Sequence, residues 1–357
     1  AERVQDKLSK PFKLDNYEVF SSASVGIIIS DEVRRKPEEY LRDADAAMYR
    51  AKESGKARYE IFDRKMYVQN VNLLRVETDL RRALERKEFR VYFQPIVALE
   101  TSEIREFESL IRWKHPERGM IPPNEFISIA EETGLIIPIG KWILEESCRQ
   151  MRQWQKEYKM AKTLSISVNL SAKQLMHPSL TTQVREVLEK TELDPCYLKL
   201  EVTESTVMEH SETALNVLSE LRELGVRLST DDFGTGFSSL SYLHRFPFEW
   251  LKIDRSFINK MDSDSKSAEI VRTIIMLAQN LNIETVAEGI ETHQQLRQLQ
   301  NLGCDFGQGY LFSKPVIAET AGKLLKDGLP IAALESEISF LSDGLIQDGL
   351  IEVENIQ

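Results

Sequence analysis

Six strand-like apolar runs in this chain end in an acidic residue or an amide. Glu108 follows IREF, Asn169 follows SISV, Glu201 follows YLKL, Asp254 follows WLKI and Glu288 follows ETVA. The densest ending is Asp231-Asp232-Phe233-Gly234-Thr235-Gly236. One such residue is an ordinary cap for the helix that follows. A series gathered on one face of parallel strands would repel itself unless cations held it. Glu108, Asn169, Glu201, Asp231 and Asp232 are therefore candidate metal ligands. Two adjacent aspartates, one able to bridge, suit a metal pair about 3.5–4 Å apart, which activates water and steadies the leaving oxygen in phosphodiester hydrolysis.

Further polar residues lie near these endings. Lys252, in LKID, projects from an otherwise apolar strand. It is either an ion-pair partner, of Asp254 or of a neighbouring strand's carboxylate, or a group that orients water. Glu288 is either a further ligand or a general base. Arg112 and Gln94 lie on the strands nearest Glu108, and Arg112 offers a fork for phosphate oxygens or a structural ion pair. GTGFSS at 234–239 is a tight turn, or a loop that can move and bring backbone amides to phosphate. Trp113 and Trp250 read as core, and His115 as a loop contact.

Eight strands, at 89–97, 104–112, 164–170, 198–204, 227–233, 250–256, 283–289 and 304–312, position these residues. Amphipathic stretches at 139–158, 179–191, 211–224 and 265–281 lie between them. Repeated β-α units imply parallel pairing, and eight of them suggest a (β/α)8 barrel with its site on the strands' C-terminal ends. An open doubly wound sheet is the rival, but no Gly-x-Gly-x-x-Gly opens the first helix. Upstream, residues 1–65 read as a small α+β piece: a helix stopped by Pro11, paired β-runs over 17–30, a helix over 38–55 ending at Gly55, and a strand at 58–62. Residues 66–87 form a linker helix, 88–325 the barrel, and 326–357 an acidic extension.

A formal net charge of −11 argues against long nucleic acid, although bound divalent cations would reverse the sign locally for a small phosphate ligand. No run approaches the roughly 18 apolar residues of a membrane helix, and no signal-peptide pattern opens the chain. Cys148, Cys196 and Cys304 are far apart and read as reduced, buried thiols in a cytoplasmic protein. The five histidines are scattered, which favours a hard cation held by oxygens over zinc.

With these residues in hand, residues 88–320 resemble the EAL-domain cyclic-di-GMP phosphodiesterases. The shared motifs are QPIV at 94–97, ESLIRW at 108–113, NLS at 169–171, EVTE at 201–204, DDFGTGFSS at 231–239, LKID at 251–254, AEGIE at 287–291 and QGYLFSKP at 308–315. Ser109 stands where that family usually has alanine, and Glu108 beside it is kept. The resemblance implies a TIM-like barrel with an antiparallel first strand and two Mg2+ or Mn2+ ions per site. It implies Glu108, Asn169, Glu201 and Asp231 on one metal, and Asp231 and Asp232 on the second with Glu288 close by. Lys252 corresponds to the residue that orients the attacking water, Gln308 lines that site, and Gln94 and Arg112 correspond to substrate contacts. Glu204 corresponds to a glutamate that anchors the loop after Asp232 and couples dimer packing to metal binding. The implied reaction opens cyclic di-GMP to linear pGpG, in a homodimer formed through the EAL domain.

Residues 22–27 (SASVGI) and 43–58 (DADAAMYRAKESGKAR) resemble the last third of a GGDEF diguanylate cyclase domain. The Gly-Gly-Asp-Glu-Phe loop is missing, so cyclase activity is not expected, and a GGDEF or sensory domain is expected upstream in the parent protein. A catalytically silent cyclic-di-GMP-binding regulatory module is the main alternative. A barrel hydrolase or lyase for another phosphate ester is more distant.

Overall fold

The computed structural model describes residues 1–14, 17–29, 36–53, 55–63, 76–209, 211–235 and 245–329. Residues 330–357 of the acidic extension, 66–75 of the linker and 236–239 of the glycine loop lie outside them; 76–83 is helical. The chain divides into two compact units, Ala1–Arg82 and Ala83–Gln357.

In the first unit, helix Glu2–Leu8 ends before Pro11, as the missing proline N–H requires. Strands β1 (Phe12–Leu14) and β2 (Tyr17–Val19) pair antiparallel, while β3 (Val25–Ile27) and β4 (Tyr59–Ile61) pair parallel across helix Pro37–Glu53. The two runs within 17–30 therefore do not pair with each other. The Ser21-Ser22-Ala23-Ser24 stretch between them has no Gly, Asn or Pro to make a tight reversal. The helix supplies the crossover that a parallel pair needs. Gly26 is required there, because a Cβ would run into the Ala44 carbonyl of that helix.

The second unit is a closed eight-stranded barrel. Its strands are β5 (Phe89–Ala98), β6 (Ile104–His115), β8 (Ser165–Leu170), β9 (Leu198–Thr203), β10 (Arg227–Phe233), β11 (Trp250–Ile253), β12 (Glu284–Glu288) and β13 (Phe306–Gln308). The order runs β5-β13-β12-β11-β10-β9-β8-β6, and β5 closes the ring on β6. As the resemblance implies, β5 is antiparallel to both its neighbours, and the others are parallel as the β-α repeats imply. A short β7 (Gly119–Ile121) adds to β6. Helices Ile136–Glu157, Leu180–Thr191, Ser211–Glu223 and Ser265–Asn280 lie within a few residues of expectation. Helices Pro123–Thr133 and His293–Asn301 were not expected.

Two strands are shorter than their apolar runs. β11 stops at Ile253 because Asp254 turns to accept from the Ser256 N–H at 3.0 Å and caps helix Arg255–Ile258. β13 stops at Gln308, where Gly309 passes against the Ile290 backbone and the Phe312 and Ser313 amides close back onto its carbonyl.

Alternation along the strands separates two environments. Outward residues such as Phe107, Ile166, Val168, Leu200, Val202, Leu251 and Ile253 are buried beneath the helices, each contributing about 1.5–3 kcal/mol. Phe89, Trp113, Phe126 and Trp142 form one aromatic cluster there, and Phe93, Phe107 and Trp154 another. Barrel interiors are commonly filled by bulky aliphatics. Here Glu106, Glu108, Ser165, Ser167, Lys199, Glu201, Ser229 and Lys252 point inward and are buried as well. The outer layer therefore supplies the hydrophobic core, and the inner space is free for charge.

Candidate active site

Register brings the sequence-predicted residues to one mouth of the barrel. Gln94 on β5 pairs with Glu108 on β6, Asn169 on β8 with Glu201 on β9, and Glu288 on β12 with Gln308 on β13. The residues on the parallel strands face the mouth at those strands' C-terminal side, where barrel sites form, and Gln94 on antiparallel β5 faces the same mouth. Asn169 Nδ2 donates to Glu108 Oε1 at 2.6 Å, and Gln308 Nε2 donates to Glu108 Oε2 at 2.7 Å and Gln94 Oε1 at 3.0 Å. Glu108 is thus held at both oxygens.

Lys252 is buried at the centre. Its Nζ lies 2.6 Å from Glu288, 2.8 Å from Glu201, 3.4 Å from Asp231 and 3.6 Å from Glu108. Of its two possible ion-pair partners, the neighbouring carboxylates are therefore the ones it meets. Asp254 instead caps its helix, though it still lines the mouth.

Asp231 and Asp232 need a separate explanation, because adjacent strand residues normally face opposite ways. The β10–β11 register breaks between Thr230 and Phe233, and Asp232 has φ +54°. Such a bulge turns a strand locally, and aspartate tolerates left-handed backbone better than most residues. Oxygens of Asp231, Asp232 and Glu288 consequently fall within 4.8 Å of one another. Glu204 opens the helix after β9 and accepts from the Gly234 N–H at 3.0 Å, tying down the chain just beyond the aspartates. Arg112 lies over the Tyr92 ring at 5.7 Å and lines the mouth.

Electrostatics follow from five carboxylates facing one buried ammonium. Burial pushes Glu201 and Glu288 up to about 8, against the opposing pull of Lys252. Burial also pushes Glu108 upward, but the Lys252 charge and the Gln308 and Asn169 hydrogen bonds outweigh it and hold Glu108 below the usual range. Asp232 is raised by burial and by Asp231. Lys252 is held well above its ordinary value: burial disfavours its charge, but Asp231, Glu108, Glu201 and Glu288 more than compensate. The donor set is all oxygen and strongly negative, and Glu201 Oε1 is buried without a hydrogen-bond partner among the described residues. That combination fits a hard divalent cation.

The mouth encloses about 420 Å3 lined by Gln94, Glu108, Arg112, Asp231, Glu288, Gln308 and others. A larger cavity of about 790 Å3 lies at the opposite end of the barrel. The smaller one gathers the carboxylate oxygens that could hold a cation, so it is the candidate site. Sequence reasoning missed Tyr310, an exposed aromatic on the rim beside Arg112, whose place after Gln308-Gly309 was its only signal. The other side chains fall as the sequence suggests. His115 Nδ1 accepts from the Glu117 and Arg118 amides, and Trp113 is core. Trp250 is buried but lies inside the barrel beneath Lys199. Cys148 and Cys304 are buried, with thiols pushed by burial to about 12, whereas Cys196 is partly exposed and not buried as expected.

The chain resembles known proteins along nearly its whole length. A bifunctional diguanylate cyclase/cyclic di-GMP phosphodiesterase of Pseudomonas aeruginosa, MucR, is 43% identical over 319 residues, covering 89% of this chain and 46% of that protein. The Escherichia coli cyclic di-GMP phosphodiesterase PdeR is 39% identical over 318 residues, covering 89% of this chain and 48% of that protein. The chain thus spans about half the length of the curated relatives it matches. Among solved structures, the MucR phosphodiesterase in complex with c-di-GMP superposes with a TM-score of 0.67 at 46% identity, over 69% of this chain and 99% of that one. The EAL domain of Mycobacterium smegmatis DcpA gives 0.59 at 31% identity, over 68% and 99%. Residues 1–58 match the diguanylate cyclase GGDEF domain model, and residues 77–315 match that of the EAL domain. With two thirds of its length matched and the same barrel, this chain belongs to the EAL-domain family.

Proposed function

We propose that this chain is a metal-dependent phosphodiesterase that hydrolyses cyclic di-GMP to linear pGpG. The observation that carries the reading is the ring of Glu108, Asn169, Glu201, Asp231, Asp232 and Glu288 around the buried Lys252, at the mouth of a barrel. Glu108, Asn169, Glu201 and Asp231 would hold one Mg2+ or Mn2+ ion, and Asp231 and Asp232 a second, with Glu288 beside it. When bound, such a pair supplies Lewis-acid stabilisation of phosphate oxygens and lowers the pKa of water. Lys252 orients the attacking water through its fixed ammonium, and Glu288 accepts its proton. Gln308 holds Glu108 in place and, with Gln94 and Arg112, lines the space for the phosphodiester. Glu204 anchors the segment after Asp232.

In this reading residues 1–65 are the C-terminal part of a GGDEF domain, 66–87 a linker helix, 88–325 the catalytic barrel and 326–357 an extension. The parent carries a GGDEF or sensory domain upstream, works in the cytoplasm, and pairs through its EAL domain. Two observations support the assignment: relatives named as cyclic di-GMP phosphodiesterases and a structure titled as a c-di-GMP complex. The test is conversion of cyclic di-GMP to pGpG by the purified chain with Mg2+ or Mn2+, against chelator and Glu108→Ala controls. No turnover with either metal refutes it, and tight binding without turnover makes the chain a silent regulatory module.

A further inference from the structure

A second deck of buried charge lies beneath the acidic mouth. Two positions before Glu108, Glu201 and Lys252, the inward residues of β6, β9 and β11 are Glu106, Lys199 and Trp250. Lys199 Nζ lies 2.5 Å from Glu106 Oε2, with side chains 3% and 4% exposed, and 3.8 Å above the Trp250 ring. Ser165 on β8 donates to the same Glu106 oxygen at 3.0 Å. β8 separates β6 from β9, so the ion pair reaches across a whole strand. The small inward side chains of that strand, Ser165 and Ser167, leave room for it.

Below the pair, packing is confined to the Trp250 ring under Lys199 and its apolar neighbours Ile96 and Val286. The cavity of about 790 Å3 opens there, lined by Glu106, Lys199, Ser165, Arg227, Trp250 and Glu284. Glu106 Oε1 is buried without a hydrogen-bond partner among the described residues, so Glu106 is fixed through its other oxygen, by Lys199 and Ser165. Apolar residues of similar volume often replace a buried ion pair with no loss of stability, so stability alone does not account for charges here. Direction and length are what an ion pair adds. Residues two apart on a strand are separated by about 6.6 Å of stiff backbone, so a tether at 106 and 199 bears directly on 108 and 201.

We propose that Glu106 and Lys199 are positioning residues, whose ion pair across β8 sets the span between Glu108 and Glu201 and hence the grip of these two side chains on a divalent cation. This rests on the reading that Glu108 and Glu201 bind metal. The experiment measures Mn2+ dissociation constants by paramagnetic resonance of free Mn2+, with thermal unfolding in chelator alongside, for the full chain and two variants. Glu106→Leu/Lys199→Met removes both charges and leaves the net charge unchanged. Glu106→Asp keeps both charges and shortens the arm by one methylene. The double variant is expected to unfold at or above the wild-type temperature yet bind Mn2+ about tenfold more weakly, the size typical of lost support behind metal ligands. Glu106→Asp is expected to bind severalfold more weakly. A folded double variant that binds Mn2+ within twofold of wild type overturns the proposal; should it not fold, the same criterion applied to Glu106→Asp decides. A merely structural pair would move the unfolding temperature and leave Mn2+ affinity alone. Wild type that binds no Mn2+ refutes the metal reading and this proposal together, whereas binding by wild type with unchanged variants refutes the positioning role alone.

Discussion

Lys252→Met replaces the buried ammonium by a side chain of similar length. The four carboxylates within 3.6 Å of Lys252 Nζ then lose their nearest countercharge. Removing one partner of a buried ion pair destabilises by about 3–5 kcal/mol. For a domain of this size that corresponds to an unfolding temperature lowered by roughly 6–20 °C. The loss depends on pH, and its sign follows from the carboxylates. Glu201 and Glu288 have folded-state values raised to about 8 from 4.5. A raised carboxylate stabilises the folded state while it is protonated and ceases to do so as pH rises from its unfolded value through its folded one. In the variant the opposing pull of Lys252 is gone, so these groups are raised further and the penalty extends to higher pH. Below about pH 8 these two groups stay protonated in both folded proteins, so their share of the deficit against wild type grows only above pH 8. Between about pH 5 and pH 8 the deficit grows through Glu108, which Lys252 helps to hold low in wild type and which burial raises once the ammonium is gone. Thermal unfolding in chelator at pH 5.5, 7, 8 and about 9.5 measures this directly. Saturating Mn2+ should raise the variant's midpoint more than that of wild type, since the ion replaces the missing charge. A midpoint within 2 °C of wild type at pH 8, or a deficit that does not change with pH, would refute the electrostatic account of Lys252.

Four other outcomes follow from the geometry. Ser109 Oγ is buried without a partner among the described residues, so Ser109→Ala should raise stability by about 1 kcal/mol in denaturant unfolding and leave turnover within twofold. Glu204→Ala frees the Gly234 amide and should weaken Mn2+ binding about tenfold by calorimetry. Mn2+ must displace protons from Glu201 and Glu288, so binding should tighten as pH rises to about 8 and level off above; calorimetry in two buffers of different ionisation enthalpy detects the released protons, and their absence would contradict the raised carboxylates. Ellman's reagent on the native chain should label at most one thiol, Cys196, and all three after unfolding.

How much could be read from the sequence depended on where each partner lies in the chain. The strand ends announced themselves locally, since each apolar run and its terminal acid or amide lie within a few residues. Six such endings within eight β-α repeats are enough to infer the closed barrel. The pairing of Val25–Ile27 was not legible, because its partner Tyr59–Ile61 is more than 30 residues on and no turn chemistry points to it. The bulge at Asp231-Asp232 was hidden for a different reason. Two neighbouring aspartates advertise a shared metal, but an ordinary strand would point them apart, and only the register break on β11 reconciles the two.

The deck beneath the site shows a further limit. Lys199 in YLKLE sits between two leucines and Glu106 in IREFE between Arg105 and Phe107, and both read as the polar face of a half-exposed strand that meets water. In a closed barrel that face meets only the other strands, so the same alternation places charge in the interior. The apolar layer then lies mainly between strands and helices, with a small inward cluster of Ile96, Trp250 and Val286 beneath the charged deck. Charge inside such a barrel is tolerable only when paired. Lys199 with Glu106 meets that requirement beneath the mouth, and Lys252 meets it partly within the mouth, where five carboxylates outnumber one ammonium. Arg112 and Arg255 at the mouth offset the remaining negative charge only in part, and it stands where a divalent cation would be bound most strongly.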